Sequence, residues 1–162
     1  MVNFYGVVFA LGFAVIFLIL REFFKVKNKK DLAFTATIYS ILGVLIGARL
    51  FYVFYYSPSH LSENLLEIFY VWQGGLSFHG GLFGGIIALY MFSKKYEVNL
   101  LEIGDIIVIP AAFFLGLGRI ANFINSELYG TITNAPWCVN FENVDGCRHP
   151  VQIYDSVKNF II

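Results

Sequence analysis

The sequence predicts an all-α polytopic membrane protein with four complete transmembrane helices, the start of a fifth, and the N-terminus outside. Three observations predict it. The first is composition: 58 % of the 162 residues are hydrophobic and 14 % are charged, against about 45–50 % and about 25 % in an ordinary soluble domain. So little charge cannot cover the apolar side chains of a soluble globule, and an aromatic content of 19 % excludes a disordered chain. The second is the gathering of apolar residues into runs long enough to cross a hydrocarbon core of roughly 30 Å. The third is the uneven placement of Lys and Arg between those runs. With a formal net charge of zero, nothing in the charge balance points to nucleic acid.

The first run covers residues 2–20, with Asn3 as its strongly polar member. The basic residues Arg21, Lys25, Lys27, Lys29 and Lys30 follow it rather than precede it. It therefore reads as a retained span, not as a secretory signal with a positive leading region. A second run covers residues 32–56 and contains Arg49. Residues 57–67 are polar without Lys or Arg. A third, glycine-rich run covers residues 76–92 and carries His79, and Lys94 and Lys95 follow in a short turn. A fourth covers residues 100–117, with Glu102 and Asp105 in its first turns, where acidic side chains suit the helix dipole. Residues 118–148 are mostly polar, and a further helix begins near His149 and Pro150, proline being suited to a first turn. Basic turns after runs one and three place those turns in the cytoplasm. The loop after run two then lies outside, as does 118–149, the main extracytoplasmic segment of a single membrane domain spanning 1–162.

Cys138 and Cys147 both fall in that outer segment, in an oxidising compartment. Pairing would close a ten-residue loop, worth about 2.7 kcal/mol in the chain-entropy model; spacing alone leaves a pair of free thiols equally open. One neighbouring histidine, His149, does not make a zinc site.

In a membrane the polar side chains are informative, since a charge at the bilayer centre costs about 2.5–3.5 kcal/mol even on lenient scales. Four places stand out. His79 lies among six glycines in Gly74-Gly75-Leu76-Ser77-Phe78-His79-Gly80-Gly81-Leu82-Phe83-Gly84-Gly85. Glycines four apart make a helix face without side chains, for close helix packing or for an acyl chain against backbone. The string Gly118-Arg119-Ile120-Ala121-Asn122-Phe123-Ile124-Asn125-Ser126-Glu127-Leu128-Tyr129-Gly130, read as helix, puts Arg119, Asn122 and Ser126 along one side with Glu127 on the same broad face. The plainer reading is a capped helix end with a surface Arg–Glu pair worth at most about 1 kcal/mol. Arg49, about 10 Å deep by helix rise, either snorkels or meets an anionic headgroup. The last is Arg148-His149-Pro150-Val151-Gln152-Ile153-Tyr154-Asp155. All four belong to the outer half of the membrane. Arginines beside a glycine-walled apolar hollow suit an anionic phospholipid, because guanidinium forks match phosphate.

The strings GARLFYV, WQGGLSFHGGLFGG, GRIANFINSELYG and RHPVQIYD, with an early YG, occur in this order. Together they resemble the prolipoprotein diacylglyceryl transferase family, whose signature GRxxNFxNxExxG is matched without a gap. The resemblance covers nearly the whole chain; Thr131 departs from the arginine many members carry there. It implies a longer, seven-span bacterial inner-membrane protein, of which this sequence ends inside the fifth span, as a fragment or a reduced variant. It also implies the reaction: phosphatidylglycerol donates its diacylglyceryl group to the lipobox cysteine of a prolipoprotein signal peptide, and no cofactor or metal takes part. Carried over residue by residue, His79, Arg119 and Tyr5 are candidate catalytic groups. Arg49, Asn122, Asn125, Glu127, Gly130, Arg148, His149, Gln152 and Tyr154 are candidate substrate-binding groups. His79 is then either the base for the thiol or structural. A non-catalytic phospholipid-binding protein or an inactive packing fragment are the competing readings.

Overall fold

The computed structural model describes residues 4–56, 65–70 and 74–161, apart from the side chains of residues 4, 5, 65 and 67. The described residues form five α-helices: α1 (Phe4–Val26), α2 (Leu32–Phe51), α3 (Phe78–Tyr96), α4 (Leu100–Ile124) and α5 (Val151–Ile161). A π-helical turn, Tyr52–Tyr56, prolongs α2, and a 3-10 turn covers Leu65–Phe69. Extended pairing among the described residues is limited to isolated bridges around Arg148.

Three helical stretches are long and apolar enough to cross a membrane: Gly6–Val26, Leu32–Tyr56 and Leu100–Ile124. Their surfaces expose Leu11, Leu18, Leu42, Ile46, Val108 and Ile109, each by about half or more. A soluble monomer rarely leaves so much contiguous apolar surface in water, whereas lipid solvates it. The polytopic, all-helical membrane class is thereby established. Glycine-rich α3, with 19 residues, does not reach the same hydropathy.

The chain divides into two compact units, residues 17–104 and a second unit joining residues up to 16 with those from 105 onward. The first is centred on the packing of α2 against α3. A methyl group added at Gly47 would collide with the carbonyl oxygen of Gly80 and lie 2.7 Å from Gly84 Cα; one added at Gly84 would collide with Gly43 O and lie 2.8 Å from Gly47 Cα. Two glycine pairs, Gly43/Gly47 and Gly80/Gly84, thus bring two backbones together, as small-xxx-small faces do in membranes. The glycines the sequence left open between helix packing and acyl contact are, at 80 and 84, a helix seam. Beyond this seam Leu20, Phe24, Phe92 and Ile103 have no exposed surface. Phe92 meets Phe24 and Tyr39 edge-on, with centroids 6.2 and 5.7 Å apart. The Lys27 ammonium pairs with Glu102, tying the α1–α2 turn to the start of α4.

In the second unit α5 packs on α4. A methyl at Gly116 would lie 2.5 Å from the Phe160 ring, and Ser156 Oγ donates to Gly116 O at 3.0 Å. The α4–α5 connection is a folded loop. Gly130 N–H donates to His149 O and His149 N–H to Thr131 O, while Val139 and Arg148 exchange backbone bonds of 2.9 and 3.0 Å. Cys138 and Cys147 are joined in a disulfide, with Cα atoms 5.4 Å apart. Phe141 fills the loop, 6 % exposed, against Phe123 and Tyr129.

Two expected boundaries move. The first helix runs on to Val26 rather than ending at residue 20, and the fourth stops at Ile124, so that 118–130 is not helical throughout. The cause is the same at both ends. Helix α1 closes through Asn28 at φ 55°, with Lys29 N–H on Phe24 O at 2.8 Å. Helix α4 closes through Ser126 at φ 57°, with Glu127 N–H on Asn122 O at 2.9 Å and Ser126 N–H on Phe123 O at 3.1 Å. Both are Schellman closures with a left-handed residue that is usually glycine.

Candidate functional site

The signature string is half helix and half turn, and its polar residues are sorted by that break. Arg119 and Asn122 stand on the last turns of α4. The Schellman closure then turns the chain, so Glu127 is not on a continued helical face, which corrects the expected arrangement. Glu127 reaches back instead: Asn122 Nδ2 donates to its Oε2 at 3.4 Å. Asn122 is 8 % exposed, whereas Glu127 is open to solvent. Asn125, exposed, caps the helix through its N–H to Ala121 O at 3.0 Å.

The acidic partner of Arg119 is Asp155 of α5, with Nε 3.4 Å from Oδ2 and side-chain exposures of 39 % and 35 %. A half-exposed pair like this contributes little stability. Its effect is geometric, because it engages one edge of a planar five-donor group. Among the described residues the terminal guanidinium nitrogens make no other hydrogen bond. The sequence string contained Asp155 but gave no reason to single it out.

Helix α5 meets the signature along one face. Ser156 and Gln152 are buried and bond to Gly116 O and Glu127 O, the latter at 2.7 Å, while Asp155 meets Arg119. Their spacing of three and four residues puts all three on one side of the helix.

Gly130 closes the signature. A side chain there would lie 2.7 Å from His149 O and 2.8 Å from Val151 Cγ1, so only glycine lets the strand beside His149 approach. Arg148 is spent on the loop: Nη1 donates to Gly130 O at 3.2 Å, Nε to Asp145 O at 3.1 Å, and its guanidinium lies 5.0 Å from the centre of the Tyr129 ring. Trp137 Nε1 donates to the Tyr154 hydroxyl at 2.7 Å, and that oxygen lies 3.2 Å from His149 Nδ1. Indole donates only, so the Tyr154 oxygen is the acceptor in its bond with Trp137.

The other candidates belong to the unit of residues 17–104. Arg49 is 6 % exposed and donates from Nη1 to the carbonyls of Gly74 and Gly75, at 2.6 and 3.2 Å. Its guanidinium also faces the Tyr52 ring, 5.8 Å from the centroid. Gly74 and Gly75 have φ of 85° and 72°, and a side chain at Gly75 would run into Tyr52. Ser77 follows, its N–H on Ala48 O at 3.0 Å and its hydroxyl accepting from Gly80 N–H at 3.3 Å as the cap of α3. His79 is therefore set in the first turn of α3, exposed, beside Phe78. An apolar groove of about 460 Å³ runs outside the glycine seam, lined in part by Leu42, Ile46, Leu50, Ile87 and Met91. The Tyr5 side chain, the loop 57–64 and the Trp72-Gln73 pair lie outside the described residues.

A family model described as prolipoprotein diacylglyceryl transferase matches residues 1–162. Three similar curated proteins all bear the name phosphatidylglycerol–prolipoprotein diacylglyceryl transferase. That of Nitrosospira multiformis is 42 % identical over 161 residues, 95 % of this chain and 55 % of its own length. The Bordetella bronchiseptica protein is 40 % identical over 164 residues, 95 % of this chain and 61 % of its own. For Rickettsia rickettsii the identity is 47 % over 141 residues, 85 % of this chain and 53 % of the relative. The chain spans about half the length of the curated relatives it matches. With its signature folded as a helix end and a tightly bonded return, and the family model matched from first residue to last, the chain belongs to the prolipoprotein diacylglyceryl transferase family.

Proposed function

We propose that the protein transfers the diacylglyceryl group of phosphatidylglycerol to the lipobox cysteine of a prolipoprotein, in the bacterial inner membrane and from its outer half. The observation that carries this reading is the family match over residues 1–162, with relatives of 40–47 % identity named for that transfer. The cysteine sulfur forms a C–S bond to the glyceryl carbon, the C–O bond to phosphate breaks, and glycerol phosphate leaves with that oxygen. Negative charge grows on the departing phosphate, and Arg119 offers it the terminal nitrogens that Asp155 does not engage. Glu127 and Asn122 bind the glycerol headgroup. His79 accepts the thiol proton; because a free thiol has a pKa of about 8.5, such help is worth about 10²–10⁴ in rate. Tyr5, Arg49, Asn125, Gly130, Arg148, His149 and Tyr154 are assigned supporting roles, binding substrate or shaping the chain around them.

The proposed topology has four spans, α3 among them, with the N-terminus outside. Support comes from the basic residues at the ends of α1 and α3, and from Lys27 pairing with Glu102 at the start of α4. Residues 118–149 then face outward, where a disulfide is stable.

The test is direct. The protein in liposomes of acyl-labelled phosphatidylglycerol receives a peptide with a lipobox cysteine. The expected result is a diacylglyceryl mass gain on sulfur with equimolar glycerol phosphate. Phospholipid binding without any mass gain on the peptide overturns the reaction and leaves a lipid-binding protein.

A further inference from the structure

Gln152 has no exposed surface, so it does not reach a lipid headgroup. Its Nε2 donates to the Glu127 carbonyl at 2.7 Å, while its Oε1 is buried with no hydrogen-bond partner among the described residues. The donor end of this amide is the end with a partner in the fold. What that donor holds is a strained piece of chain. Glu127 stands between Ser126 at φ 57° and Leu128 at φ 53°. A left-handed leucine is disfavoured sterically, and Leu128, 62 % exposed, gains little packing in return. The Glu127 N–H is fixed on Asn122 O; its carbonyl is fixed by Gln152.

We propose that Gln152 is the positioning residue of Glu127: its amide holds the strained turn that aims the carboxylate. The inference rests on the reading above, in which Glu127 binds the glycerol headgroup. Gln152→Leu removes the donor and the idle oxygen together. In the liposome assay its KM for phosphatidylglycerol is expected to rise about tenfold, with KM for the peptide unchanged. Gln152→Glu keeps the shape and donates only when protonated. The protonated, donating form of this variant is lost as pH rises. Its KM for the lipid, relative to the unaltered protein, is therefore expected to climb reversibly with rising pH. This variant carries the kinetic test if Gln152→Leu does not fold. Amide exchange at residues 126–129 is read on the same samples and is expected to quicken about tenfold in Gln152→Leu, and in Gln152→Glu at high pH. Unchanged exchange there, or a pH profile parallel to the unaltered protein, overturns the inference. Absent transfer by the unaltered protein overturns the proposed reaction instead, and the exchange measurement still decides the positioning role.

Discussion

Between α2 and α3 the unit of residues 17–104 is joined where side chains are missing, whereas the unit built on α4 and α5 is joined where polar side chains reach backbone. Gly43, Gly47, Gly80 and Gly84 let two backbones touch. In the other unit Gln152, Ser156 and Arg148 each bond to a carbonyl of the signature region or the loop. The first device is intolerant of volume but indifferent to polarity. The second depends on donors of a given length and hand, with bare contacts at Gly116 and Gly130. On the proposed topology, in which α3 spans the membrane with α2, such a pair has little hydrophobic drive toward its neighbour, so contact area between bare backbones is its available source of cohesion. A water-facing loop has backbone groups to satisfy and does so with side chains and a crosslink.

Filling the bare seam does the most damage. Gly84→Leu forces α2 and α3 apart and is expected to cost about 3 kcal/mol, read as a lowered unfolding midpoint in detergent. Its control is Gly104→Ala, at a glycine with nothing within 4 Å. There stability is expected to hold or rise by up to about 1 kcal/mol from helix propensity. Equal losses at both positions contradict the seam.

Next comes the crosslink. Cys138→Ser opens the ten-residue loop and is expected to cost about 2.7 kcal/mol. Exchange quickens over residues 130–149 and not in α2 or α3; quickening in both units contradicts their separate fastening. Smaller still is Arg49→Met, which leaves the Gly74 and Gly75 carbonyls without this donor. It is expected to cost about 2 kcal/mol and to loosen the turn before α3. Unaltered exchange at residues 74–80 contradicts the clamp.

The same contrast explains what the sequence made legible. The apolar runs predicted α2 within the residues that form it, and the glycines of α3 announced a bare face. Its partner face, Gly43 and Gly47, went unread because an ordinary apolar run surrounds it. Helix ends were misjudged where Asn28 and Ser126 take the left-handed position, for no glycine marked the stop. Glu127 was expected on the face of Arg119 for this reason. The site's residue types came from motif resemblance; their pairing did not. Asp155 meets Arg119 from another helix, a contact that no spacing along the chain encodes. Pairing of Cys138 with Cys147 needed geometry, which spacing left open and the loop supplies.

In the proposed transfer Arg119 acts on the lipid phosphate through its planar fork, with one edge engaged by Asp155. Arg119→Lys keeps the charge and loses the fork. Turnover of phosphatidylglycerol with a lipobox peptide is expected to fall about 10²-fold or more in this variant. Turnover close to that of the unaltered protein contradicts the claim.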